Sequence, residues 1–230
     1  DAWNGTGQFQ GTEPIRGFGA VAGVYEEACQ IVVRADSEIS TVEELEGHRV
    51  SIGEEESGTK QNALQILAAY GLNEKLVEEV SLNYTEAAKE LENGTIDAFF
   101  CTAGVQTAAI TNLAQRTGIR FLNVDSAAAA RLKKSYPVYD SCIIAAGTYP
   151  GQEEDVSTVG VKAVLLASDS VSAEVVEELT ALLFEEQQEL DFALPVELIT
   201  DADAAVAGIS VPFHKGAERY YESRGEKSEN

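Results

Sequence analysis

The chain has 230 residues, 44% of them apolar, with 39 acidic against 16 basic side chains and a formal net charge of −23. That length accommodates one large domain or two lobes, and a field of that sign repels nucleic acid and anionic membranes, so neither is an expected partner. No apolar run approaches the roughly 18 residues of a membrane span, and the opening DAWNGTGQ lacks the basic start and apolar core of a signal peptide.

Residues 1–19 are Gly-rich and irregular. Gln30–Arg34 (QIVVR) reads as a strand continuing back toward Val21, and Ser40–Leu45 as a single helical turn with Thr41 as N-cap and Glu44 three residues on. Val50–Ile52 is the next strand. Thr59–Tyr70 then has helical spacing, with Ala63, Leu64, Ile66 and Leu67 on one side and Gly71 as its stop. Glu79–Leu82 is a strand, Thr85–Leu91 a helix capped by Thr85, and Asn93-Gly94 a turn. A strand over Ile96–Phe100, a helix over Val105–Leu113, a strand over Ile119–Val124 and an Ala-rich helix over 126–134 follow. Beyond Pro137 come strands at Cys142–Ala146 and Val159–Ala167, an amphipathic helix at Val171–Glu186, and short helices at Thr200–Ala207 and His214–Ser223.

Residues 50–124 therefore run β-α-β-α-β-α-β, the signature of a parallel, right-handed α/β sheet with helices on both faces. Such sheets bind ligands beyond the C-terminal ends of their strands. Two segments there share one design. Arg49–Thr59 (RVSIGEEESGT) and Thr95–Gly104 (TIDAFFCTAG) each run from an apolar strand into a turn of small hydroxyl and glycine residues that opens a helix. A helix N-terminus offers unpaired N–H groups and the positive end of its dipole, which suits an anion. Ser57, Gly58 and Thr59 form one candidate site and Thr102, Ala103 and Gly104 the second. Tyr149, in the turn GTYPG, supplies a ring with a hydroxyl suited to a pocket wall. The acidic run Glu54-Glu55-Glu56 reads either as a solvated loop or as a partner for the ammonium of an amino acid.

Several chemistries are missing. His48 and His214 stand far apart, no metal-ligand spacing occurs, and no nucleophile has an evident base beside it, so neither a metal nor a cofactor is expected and no catalytic residue is assigned. Cys29, Cys101 and Cys142 fit no zinc or CxxC pattern; buried free thiols, or one disulfide and a thiol, are both open. The acidity fits either a high-salt habitat or ordinary solvated faces.

The stretches DAWNGTGQF (1–9), QIVVRADS (30–37), TVEELEGHRVSIG (41–53), SGT (57–59), NGTIDAFFCTAGVQTAAI (93–110) and GTYPGQEED (147–155) together resemble the TAXI-type solute receptors of TRAP transporters. The resemblance implies a two-lobed fold like that of type II periplasmic binding proteins. Lobe 1 would take residues 1–30 and 168–230 and lobe 2 residues 31–167, with crossing strands near 24–34 and 159–167. It implies a periplasmic or extracellular, non-catalytic receptor that closes on a small carboxylate or glutamate-like amino acid and passes it to a TRAP membrane permease. It also puts Tyr149 in the ligand cleft together with Trp3, Asn4 and Gly5, Trp3 standing where the family commonly has Tyr. Family members carry further residues before the point matching Asp1. Lobe 1 is therefore expected to be incomplete and to rely on a preceding segment or a second chain. An enzyme using the same anion site, or a sensor without transport, is the rival reading.

Overall fold

The computed structural model describes residues 2–186 and 196–225. They form a mixed α/β protein with one seven-stranded sheet and seven α-helices among the described residues. The chain divides into two compact units: residues 27–161, and residues 1–26 with 162–230. Both unit boundaries fall inside long strands, β1 (Phe18–Arg34) and β7 (Val156–Ser168).

Unit 27–161 holds β2 (Arg49–Ser51), α1 (Gly58–Ala69), β3 (Glu78–Val80), α2 (Tyr84–Asn93), β4 (Ala98–Ala103), α3 (Ala108–Arg116), β5 (Ile119–Phe121), α4 (Ser126–Ser135) and β6 (Tyr139–Ile144). The sheet order is β3-β2-β4-β1-β7-β6, with β5 also pairing β1. Strands β3, β2 and β4 are mutually parallel, as their β-α-β connections require. The sheet is not parallel throughout, however. β1 lies antiparallel beside β4, and β5 pairs antiparallel with β1 rather than with β4. The periodicity that marked these strands carried no information on which neighbour each would choose.

Alternation along the strands sorts side chains between two cores. Ile31, Val33, Ala98 and Phe100 face α1 and α4 through Ile66, Leu67, Ala128 and Leu132. Val32, Phe99 and Cys101 face α2 and α3 through Ala87, Leu91, Ile110 and Leu113. A sheet covered on both faces needs continuous apolar strands, which explains the unbroken AFFC of β4.

Local chemistry sets the helix ends, with two departures from expectation. Asn83, not Thr85, caps α2. Its side chain accepts from Glu86 N–H while Glu86 reaches back to the Asn83 N–H, a reciprocal capping box. Thr41 does not cap the short 3-10 turn at Glu43–Leu45; the Glu44 carboxylate instead accepts from the Ser40 N–H, the Ser40 hydroxyl and the Thr41 N–H.

The other unit contains the first half of β1, the second half of β7, α5 (Ala173–Glu185), α6 (Ala202–Val206) and α7 (Lys215–Ser223). Val21, Val176, Ala217, Tyr220 and Tyr221 form its core. Gly216 lets α7 approach α5 closely: a Cβ there would sit 2.3 Å from the Ala173 carbonyl. His214 is buried, and its Nδ1 caps α7 by accepting from the Gly216 N–H. Val175, Leu179 and Leu182 on α5 are exposed.

Candidate functional site

Because β2, β3 and β4 are parallel, their C-terminal ends share one edge of the sheet. The chain leaves β2 through Ile52 and Gly53 before α1 begins. Gly53 has φ +96°, and a Cβ there would lie 2.9 Å from the Thr59 side chain and 3.1 Å from Ser57 Oγ, so only glycine brings the strand this close to the helix start. Ser57 is extended (φ −81°, ψ 153°), and its Oγ accepts from the Lys60 N–H at 3.1 Å. That cap uses the oxygen as acceptor and leaves the hydroxyl proton to donate. The Gly58 and Thr59 N–H groups belong to the first turn and have no intrahelical partner. Gly58 is exposed, and nothing lies within 4 Å of where a Cβ would stand. Three donors thus converge at the positive end of α1.

The Thr59 side chain is buried and already engaged. Tyr84 Oη donates to the Thr102 carbonyl at 2.9 Å, so its oxygen takes the proton of Thr59 Oγ1 at 2.5 Å. Tyr84 therefore ties the start of α1 to the end of β4 by two bonds. Burial raises its phenol to about 12, which keeps the hydroxyl protonated for this role.

The second turn differs in kind from the first, against expectation. Thr102 and Ala103 are still within β4, paired with Cys29 and Ala28. The following helix begins only at Ala108, because Gln106 takes φ +62°, a left-handed conformation that interrupts any helix from Val105. Its N-cap, Thr107, makes no side-chain cap; its hydroxyl donates to the Gly104 carbonyl at 2.8 Å. This turn offers carbonyls, those of Thr102, Ala103 and Gly104, which receive Tyr84, Gln30 and Thr107 respectively. It is an acceptor-rich edge, whereas the first is donor-rich.

Tyr149 lies beneath that edge. It is buried at 2% exposure, with its ring 5.1 Å from that of Phe121. Its hydroxyl donates to Gln30 Oε1 at 2.5 Å and accepts from the Thr107 N–H at 3.2 Å. Gln30, also buried, turns its amide toward the Ala103 carbonyl and Thr107 Oγ1. The turn position suggested an accessible aromatic; the packing makes Tyr149 a wall of the hydrophobic core with a satisfied polar end.

Of the acidic run, Glu55 accepts from Lys60 Nζ at 2.6 Å and from the Ser81 hydroxyl at 2.7 Å. Lys60 first and Ser81 second hold its carboxyl below the usual range. Glu54 and Glu56 are exposed, Glu56 with φ +61°. In the other unit, Trp3 is half-buried, edge-on to Phe18 at 5.5 Å, with the Arg16 guanidinium 4.3 Å above its ring. Asn4 is exposed, and Gly5 has φ +64° with Pro14 against it.

Cys29, Cys101 and Cys142 are free; burial pushes the thiols of Cys29 and Cys101 up to about 12, so they are protonated and unreactive. Among the described residues, no group of three or more His, Cys, Asp or Glu side chains is placed to hold a metal ion, and no helix is long and apolar enough to cross a membrane. Tyr84 and Gln30 escaped the sequence reading. Tyr84 stood one residue before the helix start read at Thr85, and Gln30 inside a strand; a buried glutamine in an apolar strand was the one available signal.

Among solved structures, the chain is similar to the periplasmic aliphatic sulphonate binding protein SsuA from Escherichia coli, at 18% identity and a TM-score of 0.45, covering 77% of this chain and 53% of that one. It is also similar to an ancestral arginine-binding protein bound to glutamine (17%, TM-score 0.40, 75% and 60% covered). A third match is the substrate binding protein of an amino acid ABC transporter (14%, TM-score 0.40, 75% and 60% covered). The chain thus spans between 53% and 60% of the length of these structures. The sequence pattern of the NMT1-like family matches residues 1–225, nearly the whole chain, and the protein belongs to that family.

Proposed function

We propose that this chain is the extracytoplasmic, non-catalytic solute receptor of a TRAP-type transporter, of the TAXI kind, and that it takes a small carboxylate-bearing molecule, glutamate-like or another amino acid. Membership of the NMT1-like family supports a chain of this type. The observation that carries the ligand class is the donor set at α1: the Ser57 hydroxyl, whose oxygen is held by the Lys60 N–H, with the Gly58 and Thr59 N–H groups. These are groups that bind an oxyanion without reacting with it. A carboxylate there meets hydrogen bonds of about 1.5–3 kcal/mol each.

An amino acid suits this edge better than a simple dicarboxylate. The first turn supplies donors; the neighbouring end of β4 supplies carbonyls, which receive Tyr84, Gln30 and Thr107. Tyr84 spans the two, Thr59 Oγ1 on one side and the Thr102 carbonyl on the other. A carboxylate and an ammonium on one α-carbon match such a donor-to-acceptor step. Ser57, Gly58 and the Thr59 backbone are the anion contacts in this reading; Thr102, Ala103 and Gly104 line the acceptor side; Tyr149 supports them from below; Trp3, Asn4 and Gly5 complete the set. The partner is the membrane permease.

The test is a melting-shift and calorimetric screen of L-glutamate, L-glutamine, L-arginine, succinate and methanesulfonate. A true ligand at 100 times its Kd stabilises by about 2.7 kcal/mol. The amino acids are expected to shift melting more than succinate. Absence of any shift, or turnover of a bound compound, overturns the receptor reading.

A further inference from the structure

Strand β6 closes one side of the sheet: it pairs with β7 and, among the described residues, with no other strand. Ser157 of β7 shows which way its backbone groups point. The Ser157 N–H donates to Asn123 Oδ1 at 2.7 Å, and its carbonyl accepts from the Val124 N–H at 2.8 Å, so neither group reaches Ile143 opposite it. Ile143 and Ser157 are therefore a non-hydrogen-bonded pair, and the bonds between β6 and β7 fall at Asp140, Cys142 and Ile144. By the same alternation, the N–H and C=O groups of Ser141 and Ile143 point outward from the edge. Both residues are exposed, Ile143 at 65%.

Proteins blunt an open edge with lysine, proline or a bulge. β6 has no lysine and no proline, and its register with β7 is unbroken from Tyr139 to Ile144. Its one charge, Asp140, is taken by Lys133 Nζ at 2.7 Å. Residues 141–152 then carry no charged side chain, in a chain of which 24% is charged.

The edge is complementary to itself. With a two-fold axis at Cys142, Ser141 lies opposite Ile143 of a second antiparallel copy and Ile143 opposite its Ser141, so open groups meet only open groups. An axis at Ser141 would set Ile143 against Tyr139, whose N–H already donates to the Tyr136 carbonyl at 3.2 Å. An axis at Ile143 would set Ser141 against Ala145, whose carbonyl already receives Thr148 and Gln152. In the register at Cys142 the two exposed Ile143 side chains become diagonal neighbours on one face. Cys142 faces its twin in a non-hydrogen-bonded pair, with Cα atoms about 4.5 Å apart, inside the range a disulfide spans.

We propose that the β6 edge is a self-association surface, on which a second copy of this chain lays its own β6 antiparallel in the register centred on Cys142 and continues the sheet across both copies. A net charge of −23 on each copy opposes the encounter, so association is expected to strengthen with salt.

The experiment compares wild type, I143K and I143P by sedimentation equilibrium in dilute and in molar sodium chloride, with diamide cross-linking in parallel. Lysine places a charge at the exposed position, and proline removes an N–H that β7 does not use, so both variants are expected to melt close to wild type. Wild type is expected to form a reversible dimer, tighter in molar salt and weakened about tenfold or more in each variant. Diamide takes up the two hydrogens as two thiols join. It should give a reducible band at twice the chain mass that is lost in I143K and in C142S, while C142S still dimerises; Cys29 and Cys101 are buried. Where one variant melts lower, the other carries the comparison, and the cross-link in the unaltered chain needs neither. A monomer at every concentration and salt overturns the proposal. So does a dimer of unchanged affinity in the variants, or one that never cross-links through Cys142.

Discussion

Ser57 has two jobs that different substitutions separate. As N-cap it satisfies the Lys60 N–H, and as a hydroxyl it has a proton for the ligand. Ser57→Ala loses both, costing about 1 kcal/mol of stability in urea denaturation. Ser57→Asp keeps a good cap, so stability is expected to hold to within about 0.5 kcal/mol. A carboxylate now faces the anion, however, and glutamate affinity is expected to fall about tenfold or more by calorimetry. Retained glutamate binding in Ser57→Asp would remove α1 from the site. Gly53→Ala tests the strand-to-helix step beneath it. The added Cβ would stand 2.9 Å from Thr59 at φ +96°, and the expected loss is about 1–3 kcal/mol in the same assay, with ligand affinity falling alongside. Tyr84→Phe keeps the ring but leaves the Thr102 carbonyl and Thr59 hydroxyl without their bridge. A loss of about 1–2 kcal/mol is expected, and stability equal to wild type would mean that water replaces the phenol.

At the scale of elements, the sequence disclosed what is written locally. Ser57 before α1, Gly71 after it (φ +78°) and Gly94 after α2 (φ +72°) act through their own backbone conformation, so each was visible one residue at a time. The α2 start was half visible: Asn83 and Thr85 are both capping residues, and Glu86 three places after Asn83 decides for Asn83 because only that spacing closes the reciprocal pair. The start of α3 was misread because no propensity announces Gln106 at φ +62°. Tyr84 and Gln30 were invisible as members of the candidate site because their partners lie 18 to 119 residues away. Such pairs are created by strand order, and β1 inserted antiparallel beside β4 was itself not legible. The candidate site was therefore legible as a donor-rich helix start and illegible as a donor edge joined to an acceptor edge. Helix α5 has the opposite character: its pattern was plain, yet Val175, Leu179 and Leu182 lie exposed. Replacing Leu179 and Leu182 with Glu is expected to leave melting nearly unchanged and to lower binding of a hydrophobic dye. A large drop in melting temperature would show that these side chains are packed in solution.

Over the whole molecule, 39 acidic side chains against 16 basic ones make self-repulsion a stability term that salt can remove. Raising sodium chloride from about 0.01 M to about 1 M shortens the screening length from about 30 Å to about 3 Å. Melting at pH 7 is therefore expected to rise by several degrees. Acid acts on the same charge in two opposing ways. Glu44 is held below the ordinary carboxylate range by Ser40, Glu55 by Lys60, Glu92 by Arg116 and Asp125 by Tyr70. At these groups the unfolded chain binds protons first as pH falls, so their contribution is present above roughly pH 4 and is lost as pH drops through their folded values. Glu79 runs the other way, its carboxyl raised by burial and by Glu74, so its ionisation weakens the fold as pH rises. Protonation also relieves the global repulsion, which favours the folded chain. In dilute salt that relief should raise melting as pH falls from 7 toward 4, where the depressed carboxylates are still ionised. In molar salt the repulsion is already screened, so melting should change little down to pH 4 and fall below it as those carboxylates are protonated, and the salt gain at pH 4 should be smaller than at pH 7. A grid of melting temperatures over pH and salt reads both signs at once. Melting at pH 7 that is flat in salt would mean that the acidic side chains are spaced so that their repulsion contributes nothing to stability.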